Sequence, residues 1–351
     1  MKIFLKKNED RRLNIGHQWI FSNEIEKTEG NISNGDVVEI FDSREKPLGK
    51  GFYNKNSLIA YRHLTDSSEK IDKAFFLKRI NKANELRINI NPQRTSYRMV
   101  NSESDYLPGL IIDKFDDNYS IQTFSFGMNI YLKEITEILV NEFKANLVIE
   151  KNDNELRMLE GLQKQEGVLF NKNNYEDTSF QINIYGIKFI IDLLKGQKTG
   201  FYLDQVENHI ELRNYINKES KVLDLFCNEG GFAMNAAFAG AKEIKAVDSS
   251  QYSIERGMLN AGLNEFKNIS FICKDVFKYL ESAENNKNIY DVIILDPPSF
   301  TKSKKNVNSA VEGYIELNSK AMKLLKPGSI LFTFSCSHHI DDKTFENIIA
   351  K

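Results

Sequence analysis

From Lys221 onward the chain alternates short apolar runs with longer amphipathic ones, and this pattern constrains its fold more than any other feature. The runs KVLDLF, EIKAVD, ISFICKD, DVIILDPP and SILFTFSC are separated by stretches of helical length, with Gly240 and Pro327-Gly328 closing two of them. Strands joined in this way by covering helices predict a parallel sheet buried on both faces. Right-handed crossovers leave few topologies. Ligands of such sheets bind beyond the carboxyl ends of the strands. The unusual residues of this chain collect there.

Two segments precede this α/β domain, which is expected over residues 186–351. Residues 1–66 read as short strands and turns. DVVEIFDSREKPLGKGFYN carries alternating apolar residues, a turn at Arg44-Glu45-Lys46-Pro47 and closely spaced glycines, and LIAYRHL ends the segment. A small β-barrel is expected, followed by a charged linker at Thr65-Asp66-Ser67-Ser68-Glu69-Lys70. Residues 71–185 read as a mixed α+β domain. Ala74, Phe75, Leu77 and Ile80 recur at helical spacing, and that helix closes before Pro92. Strand-like runs follow at YRMVN, GLIIDKF and YSIQTFSF, then a helix near residues 128–144, a strand at ANLVIEK and a last pair of strands near residues 167–190. No internal repeat or low-complexity tract is present.

Composition excludes more than it selects. The 351 residues contain three cysteines (Cys227, Cys273 and Cys336) with no CxxC, which argues against a disulfide framework or zinc site. No metal is expected, and a reducing cytoplasm is. No apolar run approaches the ~20 residues that span a bilayer, and MKIFLKKNEDRR has no export-signal core, so no membrane partner is expected. The net charge of −2 means that any nucleic-acid contact must come from local basic patches.

Asp224-Leu225-Phe226-Cys227-Asn228-Glu229-Gly230-Gly231 joins the first strand of the alternating region to the helix FAMNAAFAG. Small residues at a strand-to-helix turn let backbone approach a ligand closely. Neither GxGxxG nor GxxxxGK[ST] is present, and Asp224 would repel a pyrophosphate. A ligand carrying an ammonium and a sulfonium suits the turn better. Asp248 ends the second strand, where a carboxylate can accept ribose hydroxyls. Asp275 ends the third and could accept from an adenine amine, although an aspartate before VFKYL also fits a helix cap. Cys227 and Cys273 read as small buried packing residues.

The fourth strand ends in Asp296-Pro297-Pro298-Ser299-Phe300. The two prolines fix a rigid exit that can hold a carboxylate and carbonyls against the hydrogen-bonding edge of a base, with Phe300 available to stack. The fifth strand ends in Thr333-Phe334-Ser335-Cys336-Ser337. Adjacent strands lie ~4.8 Å apart, which places Cys336 about two strand spacings from the Asp224 turn if strand four lies between strands one and five. A thiol there can attack C6 of a pyrimidine and make C5 nucleophilic. With an ordinary pKa of about 8.5 it needs local activation or concerted protonation of the base. A buried packing cysteine is the alternative. His338 and His339 read as loop histidines able to assist proton transfer. Lys302, Lys304 and Lys305 form a basic run that could contact phosphate. Gly196 to Gln205 has the look of a binding loop without chemistry of its own.

Taken together, GQKTGFYLDQ, VLDLFCNEGGFA, AVDSS, DVF, DPPSF and FTFSCSHH resemble the 23S ribosomal RNA 5-cytosine methyltransferases of the large-subunit methyltransferase I group. RRLNIGHQWIFSNEI and GDVVEIFDSREKPLGKGFYN are similar to the PUA domain of that family, an RNA-binding barrel, and SDYLPGLIIDKF to its linking α+β domain. The resemblance implies a Rossmann-like class I methyltransferase domain that uses S-adenosyl-L-methionine. It implies cofactor contacts from Lys198, Thr199, Tyr202, Asp204, Gln205, Asp224, Phe226, Asn228, Gly230, Asp248, Ser249, Asp275 and Val276. It also implies a base-positioning role for Asp296 and a nucleophilic one for Cys336. RNA contacts are expected from Pro297, Phe300, Lys302, Lys304 and Lys305. By that comparison the sequence stops at Lys351 within a helix, TFENIIAK, with a terminal strand pair missing.

The expected function is therefore S-adenosylmethionine-dependent methylation of 23S ribosomal RNA at cytosine C5. A base N-methyltransferase that uses the DPP turn and an inert RNA-binding relative are the alternatives. The oligomeric state is left open, a homodimer included.

Overall fold

The structure, a computed structural model, describes residues 1–173, 177–301 and 303–351. The chain divides into two compact units, the first formed by Met1–Ile182 and Ile191–Leu203 and the second by Asn183–Ile190 and Asp204–Lys351.

The first unit contains two sheets. Strands β1 (Lys2–Leu5), β2 (Trp19–Ile20), β3 (Ile25–Glu29), β4 (Val37–Phe41), β5 (Pro47–Tyr53) and β6 (Tyr61–Thr65), with the short helix α1 (Arg11–Asn14), form a curled sheet of order β2-β6-β5-β4-β1-β3. Alternation along these strands turns Ile3, Leu5, Ile20, Ile40 and Tyr61 into one apolar core. Helix α2 (Lys73–Ile90) starts where the Asp72 carboxylate accepts from the amides of Ala74 and Phe75, an N-cap that satisfies otherwise orphaned donors. It covers a second sheet built from β7 (Ser96–Asn101), β8 (Leu110–Phe115), β9 (Asn118–Thr123), β10 (Leu147–Asn152) and β11 (Gln165–Asn171), in the order β11-β10-β9-β8-β7. The helical run expected near residues 128–144 is broken into α3 (Phe126–Ile130) and α4 (Leu132–Asn141). A buried carboxylate ties the sheets together: Glu160 accepts from Asn54, Ser57, Arg62 and the amide of Phe126. A charge removed from water persists when its lone pairs are satisfied in this way.

The strand pair expected near residues 167–190 comprises β12 (Ser179–Ile184) and β13 (Ile187–Asp192), which form a ribbon, whereas β11 joins the second sheet. The stretch Asn183–Ile190 groups with the second unit.

That unit contains helix α5 (Val206–Leu212) and a five-stranded parallel sheet. Its elements are β14 (Lys221–Leu225), α6 (Gly231–Phe238), β15 (Glu243–Asp248), α7 (Gln251–Leu263), β16 (Ile269–Cys273), α8 (Val276–Asn285), β17 (Tyr290–Leu295), α9 (Val307–Met322), β18 (Leu325–Thr333) and α10 (Asp342–Ile349). The strand order is β16-β15-β14-β17-β18, so strand four does lie between one and five. Successive side chains point to opposite faces. Val222 and Ile244 therefore enter one core with Ala233 and Ala236, while Leu223 and Leu225 enter another with Leu280 and Leu317. Asn260 of α7 and Asn264, which caps that helix, receive the amides of Ile190 and Lys188. Among the described residues no helix is long and apolar enough to cross a membrane.

Candidate functional site

Strand register brings the chemistry to one rim. Leu225 pairs with Leu295, and Leu295 with Thr333. The Asp224 turn, the DPP turn and the cysteine loop therefore leave three neighbouring strands at the same level. The amide of Asp296 bonds the carbonyl of Leu225, and the amide of Phe334 that of Leu295.

Asp224 is buried at the carboxyl end of β14, and one of its oxygens accepts from the amide of Ala233 in the first turn of α6. The other, Oδ1, is buried without a hydrogen-bond partner. Burial, with the Asp296 and Asp248 carboxylates nearby, pushes its carboxyl up to about 8. A cationic ligand would relieve this arrangement and an anionic one would aggravate it. The turn itself is sharply bent: Phe226, Asn228 and Gly230 all have positive φ, at 61°, 49° and 84°, and glycine takes that conformation without cost. Gly231 is held closer still, for a Cβ on it would come within 2.5 Å of the His209 ring. His209, on α5, packs edge-on against Phe232, and burial lowers its pKa to about 3, so it remains neutral.

Asp248 ends β15 half-buried, and its carboxylate accepts from the amides of Asn228 and Ser250. Ser249 beside it is exposed. Asp275 is exposed and accepts from the Lys278 amide as the N-cap of α8, and Val276 is buried behind it. Gln205 is oriented by its neighbours: Asn208 donates to its carbonyl oxygen, and its amide donates to Asp296 at 3.0 Å. Asp204, at the start of the second unit's main stretch, is exposed.

Lys198, Thr199 and Tyr202 belong to the first unit. The Lys198 ammonium lies 4.1 Å from the centre of the Tyr202 ring. Thr199 is buried and its hydroxyl donates to Asp113 at 2.6 Å, a carboxylate that also holds Arg98. That side chain is an anchor for its loop.

Cys336 is exposed, and its thiol donates to the carbonyl of Pro297 at 3.6 Å. The thiol and the DPP turn are thus direct neighbours, and the alternative of a buried packing cysteine is excluded. Other expectations change. Cys227 is buried, but Cys273 is exposed, because β16 is an edge strand whose end lacks a covering layer. Phe300 is half-buried with its ring 4.4 Å from that of Tyr314. Pro297 is buried. Lys304 and Lys305 are exposed on a 3-10 turn, and Lys302 lies outside the described residues. His338 is exposed and His339 half-buried. Sequence reasoning missed Tyr314 and the serines around Cys336, treated below, because nothing local marks them.

A Rossmann-like sheet with acids at its strand ends and a buried, unpartnered carboxylate oxygen defines an S-adenosylmethionine-dependent methyltransferase. Comparison with known proteins agrees. Residues 172–345 match the S-adenosylmethionine-dependent methyltransferase family, and residues 3–66 match a PUA-like domain. The ribosomal RNA large subunit methyltransferase I of Aliivibrio fischeri is 36% identical over 356 residues, covering 100% of this chain and 89% of that relative. Its counterpart in Aeromonas hydrophila is 37% identical over 353 residues, covering 99% and 88%. The chain belongs to the ribosomal RNA large subunit methyltransferase I family. A methyltransferase complexed with SAH shares its fold (TM-score 0.81, 22% identity, 99% of this chain and 89% of that one), as does an S-adenosylmethionine-dependent methyltransferase from Streptococcus mutans (TM-score 0.78, 22% identity, the same coverage).

Proposed function

We propose that the protein methylates C5 of a cytosine in 23S ribosomal RNA through a transient covalent bond from Cys336. The observation that supports this reading is the exposed thiol 3.6 Å from the Pro297 carbonyl, on the rim that also holds Asp224. The large-subunit RNA is the substrate for which the similar methyltransferases are named. When bound, S-adenosylmethionine supplies an electrophilic methyl group.

Each residue has a task. Asp224, Asp248 and the turn between Phe226 and Gly230 hold the cofactor, with Ser249, Asp275, Val276, Asp204 and Gln205 as further contacts. Asp296, oriented by Gln205, holds the polar edge of the cytosine. The Cys336 thiolate adds to C6, and the π pair of the C5–C6 double bond moves to C5, which would take the methyl group as the methyl–sulfur bond breaks and leaves its electron pair on the departing sulfur. Once C5 is methylated, a base removes its proton, the C5–C6 double bond re-forms, and the thiolate leaves. Lys304 and Lys305 contact RNA phosphate.

Replacing Cys336 by Ala should abolish methyl transfer while S-adenosylmethionine still binds by calorimetry. Mass spectrometry of the RNA product should place the methyl on C5. Methyl on a nitrogen, or full activity in the variant, would overturn the covalent reading.

A further inference from the structure

Around Cys336 lies a closed set of hydroxyls that the chemistry above does not use. Ser337 is 3% exposed and Tyr314 is fully buried. The Ser337 hydroxyl lies 3.0 Å from Tyr314 Oη and 3.2 Å from Ser299 Oγ, and it accepts from the Phe300 amide at 3.2 Å. Ser335 Oγ donates to Tyr314 Oη at 3.1 Å and accepts from the Ser337 amide at 3.3 Å. Ser299 Oγ donates to the Thr301 carbonyl at 2.8 Å.

A hydroxyl has one proton to give, and that count fixes every direction. The Thr301 carbonyl can only accept, so Ser299 spends its proton there and must accept from Ser337. Ser337 then accepts from Tyr314, and Tyr314 from Ser335. The result is a single ordered relay that runs from the Ser337 amide through Ser335, Tyr314, Ser337 and Ser299 to Thr301, with the Phe300 amide feeding its centre. It bonds both neighbours of Cys336 to α9 and to the Ser299–Thr301 end of the DPP turn. The thiol projects from the one residue between the two clamped serines. Buried polar networks rigidify when fully satisfied, and loss of one member leaves its partners unpaired.

We propose that Tyr314, Ser337 and Ser299 are positioning residues that hold the Cys336 thiol against the DPP turn in its attacking geometry. The proposal rests on Cys336 as the nucleophile. Small displacements of a reacting atom are costly, up to roughly a hundredfold for about 1 Å.

Tyr314→Phe removes one hydroxyl and keeps the ring that packs on Phe300 and Phe345. The variant should lose about tenfold to a hundredfold in kcat, with KM for RNA and Kd for S-adenosylmethionine within about twofold of the parent. Freed from Pro297, the thiol should instead react several-fold faster with iodoacetamide. Peptide mass spectrometry reads that rate at residue 336 apart from the exposed Cys273. Ser337→Ala should do the same, and Ser299→Ala, at the end of the relay, should do so more weakly. Ile254→Ala, a cavity under α7, which packs on β15 and β16 at the opposite edge of the sheet from β18, should lower Tm yet leave the alkylation rate unchanged, which separates positioning from general loosening. A fall in kcat without altered alkylation, or parental values of both in Tyr314→Phe and Ser337→Ala, would overturn the proposal while Cys336→Ala is inactive. Activity in Cys336→Ala would instead overturn the nucleophile itself.

Discussion

The Asp224 turn and the Cys336 loop leave the same edge of one sheet, yet they are built on opposite terms. At Asp224 an ionisable carboxyl is buried and one oxygen is left without a partner. At Cys336 the reactive group is exposed, while the hydroxyls beneath it are joined to one another. The first region holds its carboxyl away from the charged form, which a cationic ligand would restore. The second spends its polar groups on geometry. Binding and positioning have been assigned to separate strand ends, so each should be removable without the other.

Cys336→Ser tests that separation at the largest scale. Methyl transfer should fall about a thousandfold or more, as when a nucleophile is removed, and calorimetry should show cofactor affinity unchanged. Asp224→Asn is the converse. Affinity for S-adenosylmethionine should weaken by about tenfold or more, given that a buried charge–ligand contact contributes roughly 1.5–3 kcal/mol. The cofactor-free variant should melt higher, because an uncompensated buried acid is gone. Gly231→Ala asks how tightly the first region is built. Its Cβ meets His209 at 2.5 Å, and overpacking of this kind costs about 1–3 kcal/mol, visible as a lower Tm with thiol alkylation at Cys336 unaffected.

The Asp224 carboxyl makes the contrast depend on pH. With its carboxyl raised to about 8, against an ordinary value near 4, Asp224 is protonated in the cofactor-free protein at neutrality. Its contribution to stability is fully present below the ordinary value and is lost as pH rises through about 8. The Tm of the cofactor-free protein should therefore decline over that interval, and Asp224→Asn should flatten the decline. A cationic ligand favours the carboxylate, so binding below about 8 releases a proton. Affinity should tighten with rising pH and level off above that value. Titrations in buffers of different ionisation enthalpy would measure the proton directly.

The same contrast explains what could be read from the sequence. The five strands of the second unit follow from a hydrophobic alternation that is local and strong, and the shared rim of the acids at their ends follows from a parallel sheet, whereas the lateral order of the strands is not written in that alternation. Cys336 sits where the strand order puts it. The relay beneath it was not legible, since Ser299, Tyr314 and Ser337 are common residues that meet only after α9 packs on the sheet. The packing of Phe300 on Tyr314 was not legible for a related reason, because an aromatic at a ligand edge looks the same in sequence whatever its ring rests on. The burial of Thr199 depends on Asp113, a distant residue that no spacing connects to it.

The sharply bent turn after β14 has one further consequence. Alternating left-handed residues ordinarily gather backbone amides into a concave nest for an anion. Here the amide of Asn228 is taken by Asp248, that of Ala233 by Asp224 and that of Gly230 by the carbonyl of Cys227. Three of the amides such a nest would offer are thus taken by the protein's own oxygens, two of them carboxyl oxygens that repel an anion. The loop is therefore a poorer phosphate seat than its backbone conformation alone would make it.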